Sequence, residues 1–253
     1  MNTNELIKVA AEAGKIILEN GGETYRVEET ISRICKAYGE KSIESFVTPT
    51  GIVLSISTAT KNLSIVKRIK SRTVDLEKIN RVNDLSRKVC ANWIPLDQLR
   101  EELRKINDTP RYKESTSLLF ASLAASSFTL LFGGNIMDAI PSFFIGFLIY
   151  KVSSILNRLN VNPFFVNIIG GTISAAVAAI STFIGIGSNM DKIIIGSIML
   201  LVPGLAITNA IRDTIAGDLV SGITRAVEAF LVAVGIAVGT GIVLKFLYKF
   251  GGI

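Results

Sequence analysis

The sequence predicts an α-helical membrane bundle of about five transmembrane helices, carrying an N-terminal soluble α+β domain. Three observations predict it. The 253 residues have a mean hydropathy of +0.47, too apolar for one soluble globule of this size. The charges are lopsided, with 20 of the 27 Lys+Arg and 16 of the 21 Asp+Glu at or before Glu114. The nearly bare remainder breaks into apolar segments close to the roughly 20 residues a helix needs to cross a bilayer. The boundary near Lys113 divides a soluble domain at 1–112 from a transmembrane domain at 113–253.

The soluble half opens with Leu6, Val9, Ala10, Ala13, Ile16 and Ile17 at helical spacing, which predicts a helix over about 3–19 that stops at Gly21-Gly22. Glu5, Lys8, Glu12 and Lys15 interrupt any apolar core, so this is no signal peptide. A second helix, about 24–38, has Val27, Ile31, Ile34 and Cys35 on one face and Gly39 as its stop. Strands are expected at 43–48, 52–58 and 63–70, the first two joined by a turn at Pro49–Gly51. Helices at about 75–91 and 96–107 follow, separated by Pro95, and 107–110 is a linker.

The membrane half predicts spans at about 115–133, 136–150, 163–187, 191–208 and 219–247. The second is short and carries Pro141, which fits a re-entrant or tilted element. Gly170, Gly171, Ala175 and Ala176 in the third span, and Gly235-x-x-x-Gly239 in the fifth, allow close helix approach. Loop cations (Arg111, Lys113, Lys151, Arg158, Arg212, Arg225) favour a cytoplasmic N-terminal domain and an outside C-terminus, with Lys245 and Lys249 snorkelling to head groups.

Composition also excludes chemistry. The absence of histidine removes Ser-His-Asp and Cys-His catalysis and most zinc sites. No catalytic residue, metal site or cofactor is expected. Cys35 and Cys90 lack metal or redox spacing and read as buried free thiols. The pI of 9.3 comes from cations interleaved with acids, which suits the lipid bilayer surface better than nucleic acid.

The functional signal is a polar passage inside apolar text, MLLVPGLAITNAIRDTIAGDLVSGITRAVEAF at 199–230. Pro203-Gly204 predicts a helix break or kink. Asn209 and Asp213 share a face, with Arg212 beside them. Asp218, Ser221, Arg225 and Glu228 continue as a stripe of about 15 Å at 1.5 Å per residue. Charges at such depth cost several kcal/mol (roughly 3) unless paired or facing a wet cavity, so the stripe reads as a solute pathway. Arg212 and Arg225 suit a carboxylate, which a guanidinium grips at two points. Asp213, Asp218 or Glu228 would carry a coupling proton. Plainer roles stand beside these: a packing kink at Pro203, a positive-inside anchor at Arg212, an N-cap at Asp218, and, for Arg225 and Glu228, a buried structural ion pair between two spans.

The blocks GGETYRVEET (21–30), VTPTGIVLSI (47–56), VNDLSR (82–87) and VPGLAITNAIRDTIAGDLVSGITRAVEA (202–229) resemble the threonine/serine exporter family, over essentially the whole chain. The resemblance implies an inner-membrane exporter of small carboxylate-bearing solutes, either threonine/serine or succinate-like dicarboxylates. The chain is similar to the first module of long members, and to the split form in which a second small membrane subunit supplies the remainder. A homo- or hetero-oligomer is therefore expected. The family's motifs carry over onto Pro203, Gly204, Asn209, Arg212, Asp213, Gly217, Asp218, Gly222, Arg225 and Glu228, and onto Gly22, Glu23, Arg26, Glu28 and Thr50. The alternative is a membrane-anchored enzyme or regulator, with Glu23, Arg26, Glu28 and Thr50 as its candidate site. A weaker one is a scaffold whose stripe binds a partner's helices.

Overall fold

The computed structural model describes residues 3–58 and 61–250. The elements run α1 (Thr3–Glu19), α2 (Thr24–Ala37), β1 (Ile43–Thr48), β2 (Gly51–Ser57), β3 (Asn62–Arg68), α3 (Leu76–Ala91), α4 (Leu96–Asn107), α5 (Glu114–Leu131), α6 (Ile136–Arg158), α7 (Pro163–Phe183), α8 (Met190–Ile198), α9 (Gly204–Ile215) and α10 (Leu219–Phe250). They form two compact units. The first joins Met1–Pro110 to Gly204–Val227; the second comprises Arg111–Pro203 and Glu228–Ile253.

In the first unit, β1, β2 and β3 form an antiparallel sheet in that order. Alternation decides its inner face: Ile52, Leu54 and Ile56 are buried, while Val53 between them is exposed. The sheet packs on α1 and α2, and α3 and α4 complete the same core behind them, with Leu6, Ile17, Ile31, Val82 and Leu99 buried in it. At Gly14 an added Cβ would lie 2.7 Å from Ile31, so glycine lets α1 approach α2. The helices and strands expected of this half all form. Cys35 is buried and its thiol is pushed up to about 12 by burial. Cys90 is exposed, contrary to expectation. Its neighbour Val89 takes the inward position, and adjacent helical residues do not share a face.

In the second unit, small residues set the helix spacing. A Cβ at Gly171 would lie 2.6 Å from the Ile236 carbonyl, and one at Gly239 2.0 Å from that of Ile168. This is the close approach of α7 and α10 that both glycine motifs predict. Gly239→Leu should therefore separate these helices and lower the melting temperature of the purified protein; unchanged melting would refute the contact. Across the unit, a Cβ at Gly196 would lie 2.5 Å from the Thr129 backbone, which brings α8 against α5.

A node that the sequence reading passed over closes one end of this unit. Asp138, fully buried, accepts from the backbone N–H of Ser188 (2.7 Å), Asn189 (2.8 Å) and Asn135 (3.0 Å), and from Asn189 Nδ2 (2.8 Å). Asn135 accepts from the Asp138 N–H in return, completing a capping box on α6.

The span count differs from the five expected. Among the described residues, three helices are long and apolar enough to cross a membrane: Ile136–Arg158, Pro163–Phe183 and Leu219–Lys249. The second expected span is longer than 136–150, because the helix continues through Lys151 to Arg158, both of which pair with Glu114. Pro141 lies in its second turn without ending it. The first expected span is the 18-residue α5, diluted by serines and threonines. The fourth is divided. Helix α8 stops at Ile198 and α9 starts at Gly204, with Pro203 between them lacking the N–H that a continuous helix needs.

Candidate solute site

The polar passage at 204–227 folds with the N-terminal half, in the first unit. Helix α1 is closed by Gly21, in the left-handed region at φ +95°, and the Gly22 N–H returns to the Ile17 carbonyl at 2.9 Å. Glu23 occupies the N-cap of α2, but its side chain makes no cap bond. Helices α9 and α10 turn back at Gly217 (φ +95°). They press together at Gly222, where a Cβ would lie 3.0 Å from the Ala210 carbonyl. Their outward residues Ile211, Ile215, Leu219, Val220, Ile223 and Val227 are exposed and apolar, while Asn209, Asp213, Ser221 and Arg225 are each at most 4% exposed. This corner is polar inside and largely apolar outside, with Arg212 exposed at its edge.

The inward groups meet the turn between α1 and α2. Asn209 Nδ2 donates to the Gly21 carbonyl at 2.8 Å, and Arg225 Nη2 to that of Gly22 at 2.8 Å. Asp213 Oδ1 accepts from the Thr24 N–H at 3.1 Å, and Asp218 Oδ2 from the Thr24 hydroxyl at 2.8 Å. Two carboxylates thus stand at the positive end of the α2 dipole. Arg225 Nε lies 3.0 Å from Asp213 Oδ2 as an ion pair, off the N–H direction. Arg212 Nη1 and Arg26 Nε hold the two oxygens of Glu23 at 2.5 and 3.0 Å. Asn209 Oδ1 and Ser221 Oγ are buried without a hydrogen-bond partner among the described residues, which is a rare state for such atoms.

Pairing differs from the order along the chain. Arg212 and Asp213 are neighbours in sequence but point about 100° apart on the helix. Arg212 therefore meets Glu23, and Asp213 meets Arg225. Burial pushes the Glu23 carboxyl up. Its own backbone N–H, the Arg212 hydrogen bond and the Arg26 charge outweigh that and hold it below the usual range. Burial raises Asp213 above the usual carboxylate range despite Arg225, with Asp218 adding repulsion; α9 lies outside the three apolar spans.

The signs are opposite. The lowered Glu23 adds stability above the ordinary glutamate pKa, and this is lost as pH falls through its folded value. The raised Asp213 favours the fold at low pH, and this fades as pH rises through its folded value. Glu23→Gln should therefore melt below wild type at neutral pH, with the gap closing on acidification. A gap independent of pH would deny Glu23 its charged role.

The remaining predicted residues lie apart or engage otherwise. Glu28 accepts from the Val47 N–H at 3.0 Å, and burial raises its carboxyl, with Asp218 repelling it. Thr50 is exposed at the β1–β2 turn, its hydroxyl 3.3 Å from that of Thr48. Pro203 and Gly204 sit where α8 gives way to α9, and Glu228 is half-buried and belongs to the second unit. Sequence reasoning missed Thr24 and the carbonyls of Gly21 and Gly22. Their only signal was the GGET block, because a backbone carbonyl has no residue type to read.

Residues 8–247 match the threonine/serine exporter family. The chain is 21% identical over 248 residues to a probable threonine/serine exporter of Mycobacterium tuberculosis, covering 97% of this chain and 47% of that protein. It is 23% identical over 250 residues to the threonine/serine exporter of Corynebacterium glutamicum, covering 94% and 50%. The chain thus spans about half the length of these two relatives. It is 26% identical over 238 residues to the probable succinate transporter subunit YjjP of Escherichia coli, covering 92% and 91%. No solved structure matches the chain.

Proposed function

The chain belongs to the threonine/serine exporter family, and from that premise we propose that it is the larger subunit of a two-chain exporter of small carboxylate-bearing solutes. One observation carries the reading: a buried Asp213–Arg225 pair in a corner whose outer surface is apolar. An uncompensated charge there would be costly, and a paired one is held away from lipid. Arg225 and Arg212 offer guanidinium groups to a solute carboxylate. Asn209 Oδ1 and Ser221 Oγ offer acceptors to its donor groups. Asp213 takes up a proton more readily than an ordinary aspartate, which suits it to proton coupling. The relatives' names point to threonine and serine or to succinate, and every one of these presents a carboxylate.

The chain is placed in the inner membrane with residues 1–112 in the cytoplasm and the C-terminus outside. Helix α5 and the stretch from α8 to the start of α9, about 191–208, complete five membrane segments, which leaves Asp213 outside them. A second small membrane subunit is its partner, a reading supported by the word subunit in the name of YjjP and by its similar length. The test is efflux of labelled threonine or succinate from loaded cells expressing the chain and its co-purified partner. Efflux should rise above background and fall back to it with Arg225→Gln. Background efflux with the wild-type chain, or wild-type efflux with the variant, would refute the assignment.

A further inference from the structure

Glu23 occupies the place of a ligand. Its side chain is only 8% exposed, yet it does not cap the helix it begins. Instead its two oxygens are divided between Arg212 on α9 and Arg26 on α2, one guanidinium to each oxygen. That is how a protein holds a free carboxylate. The two arginines are 54% and 37% exposed, so the cradle opens to solvent while the carboxylate within it is covered. Around it, the rest of the α1–α2 turn uses the same groups that a solute would need. The Gly21 carbonyl takes the Asn209 amide, the Gly22 carbonyl takes Arg225, and Thr24 takes Asp213 and Asp218.

We infer that Arg26 and Arg212 form a carboxylate-binding site, and that Glu23 is a tethered competitor which a solute carboxylate must displace to enter. This rests on the exporter reading and adds to it a third binding arginine, Arg26, and a threshold. A group on a short tether competes at an effective concentration on the order of millimolar. A free solute therefore gains the cradle only when its own concentration approaches that range, and the exporter engages on solute excess. The apparent affinity is reduced by the fraction of sites that Glu23 fills. Displacement also frees the turn to withdraw from Asn209, Asp213 and Arg225, so one exchange of carboxylates uncovers the whole polar corner.

The test uses the full chain in lipid nanodiscs, with labelled succinate and labelled threonine as probes. Glu23→Gln keeps the shape of the side chain and removes its charge. It should bind one or both probes about tenfold more tightly than wild type. Adding Arg212→Gln or Arg26→Gln to it should cancel the gain. Equal or weaker binding by folded Glu23→Gln overturns the inference, as does a gain that survives both arginine replacements. Should Glu23→Gln not fold, Glu23→Asp, with its shorter reach, is read instead: tighter binding supports the tether and unchanged binding overturns it. The two readings separate cleanly. Arg225-dependent efflux with no affinity gain in Glu23→Gln sinks the tether and leaves the exporter standing. Tighter binding in a chain that drives no efflux does the reverse.

Discussion

Arg225→Ala is expected to destabilise the protein by about 3–5 kcal/mol, because it strands the carboxylate of Asp213 in a site with no exposure. The same change removes the donor to the Gly22 carbonyl. The double variant Asp213→Ala/Arg225→Ala should recover much of that loss, since a buried pair costs nearly as much to desolvate as it returns. Efflux should not recover with it, because the solute has lost its guanidinium. Stability would be read by denaturant or thermal melting of the purified protein, and efflux in loaded cells. A double variant as unstable as the single would show that the pair is not the origin of the effect. A double variant that exports normally would remove both residues from the pathway. This dissociation separates a structural ion pair from a working one, which a single substitution cannot do.

The second large effect is expected at Asp138. Its carboxylate satisfies three backbone N–H groups and one side-chain amide. Asp138→Ala leaves these donors without an acceptor inside the second unit, and each buried donor left unmade costs about 1–3 kcal/mol. The loss is therefore expected to be about 3 kcal/mol or more, tempered where water reaches the freed groups. Asp138→Asn, which retains an acceptor oxygen, should fall between the two. Melting of Asp138→Ala within a degree of wild type would show that the node contributes little. The aspartate was readable in the sequence only as a residue of a short loop, GGNIMD, because its partners Ser188 and Asn189 lie some 50 residues on.

Much of the fold was legible from local text. Leu6 to Ile17 repeat at helical spacing and form α1, and the alternation of Ile52, Leu54 and Ile56 forms β2. Gly171 and Gly239 signalled a close helix crossing, and that is where α7 and α10 meet. Apolar length by itself reads 191–208 as one span, whereas Pro203-Gly204 within it predicts the break that lies between Ile198 and Gly204. Periodic surroundings predict Cys90 inward, but its position one residue past the buried Val89 turns it outward.

The residue order is enough to show charge concentrated up to Glu114, five apolar stretches after it, and Asn209, Arg212, Asp213, Asp218 and Arg225 set among them. Those facts need only composition, periodicity and the cost of burying a charge. What those charges face emerges in three dimensions: not one another in chain order, but Glu23, Thr24 and two glycine carbonyls nearly two hundred residues away. A helix fixes which side chains share a face, but the partner across that face is chosen by how the chain returns on itself, and a backbone carbonyl that takes a guanidinium leaves no mark in the residue alphabet.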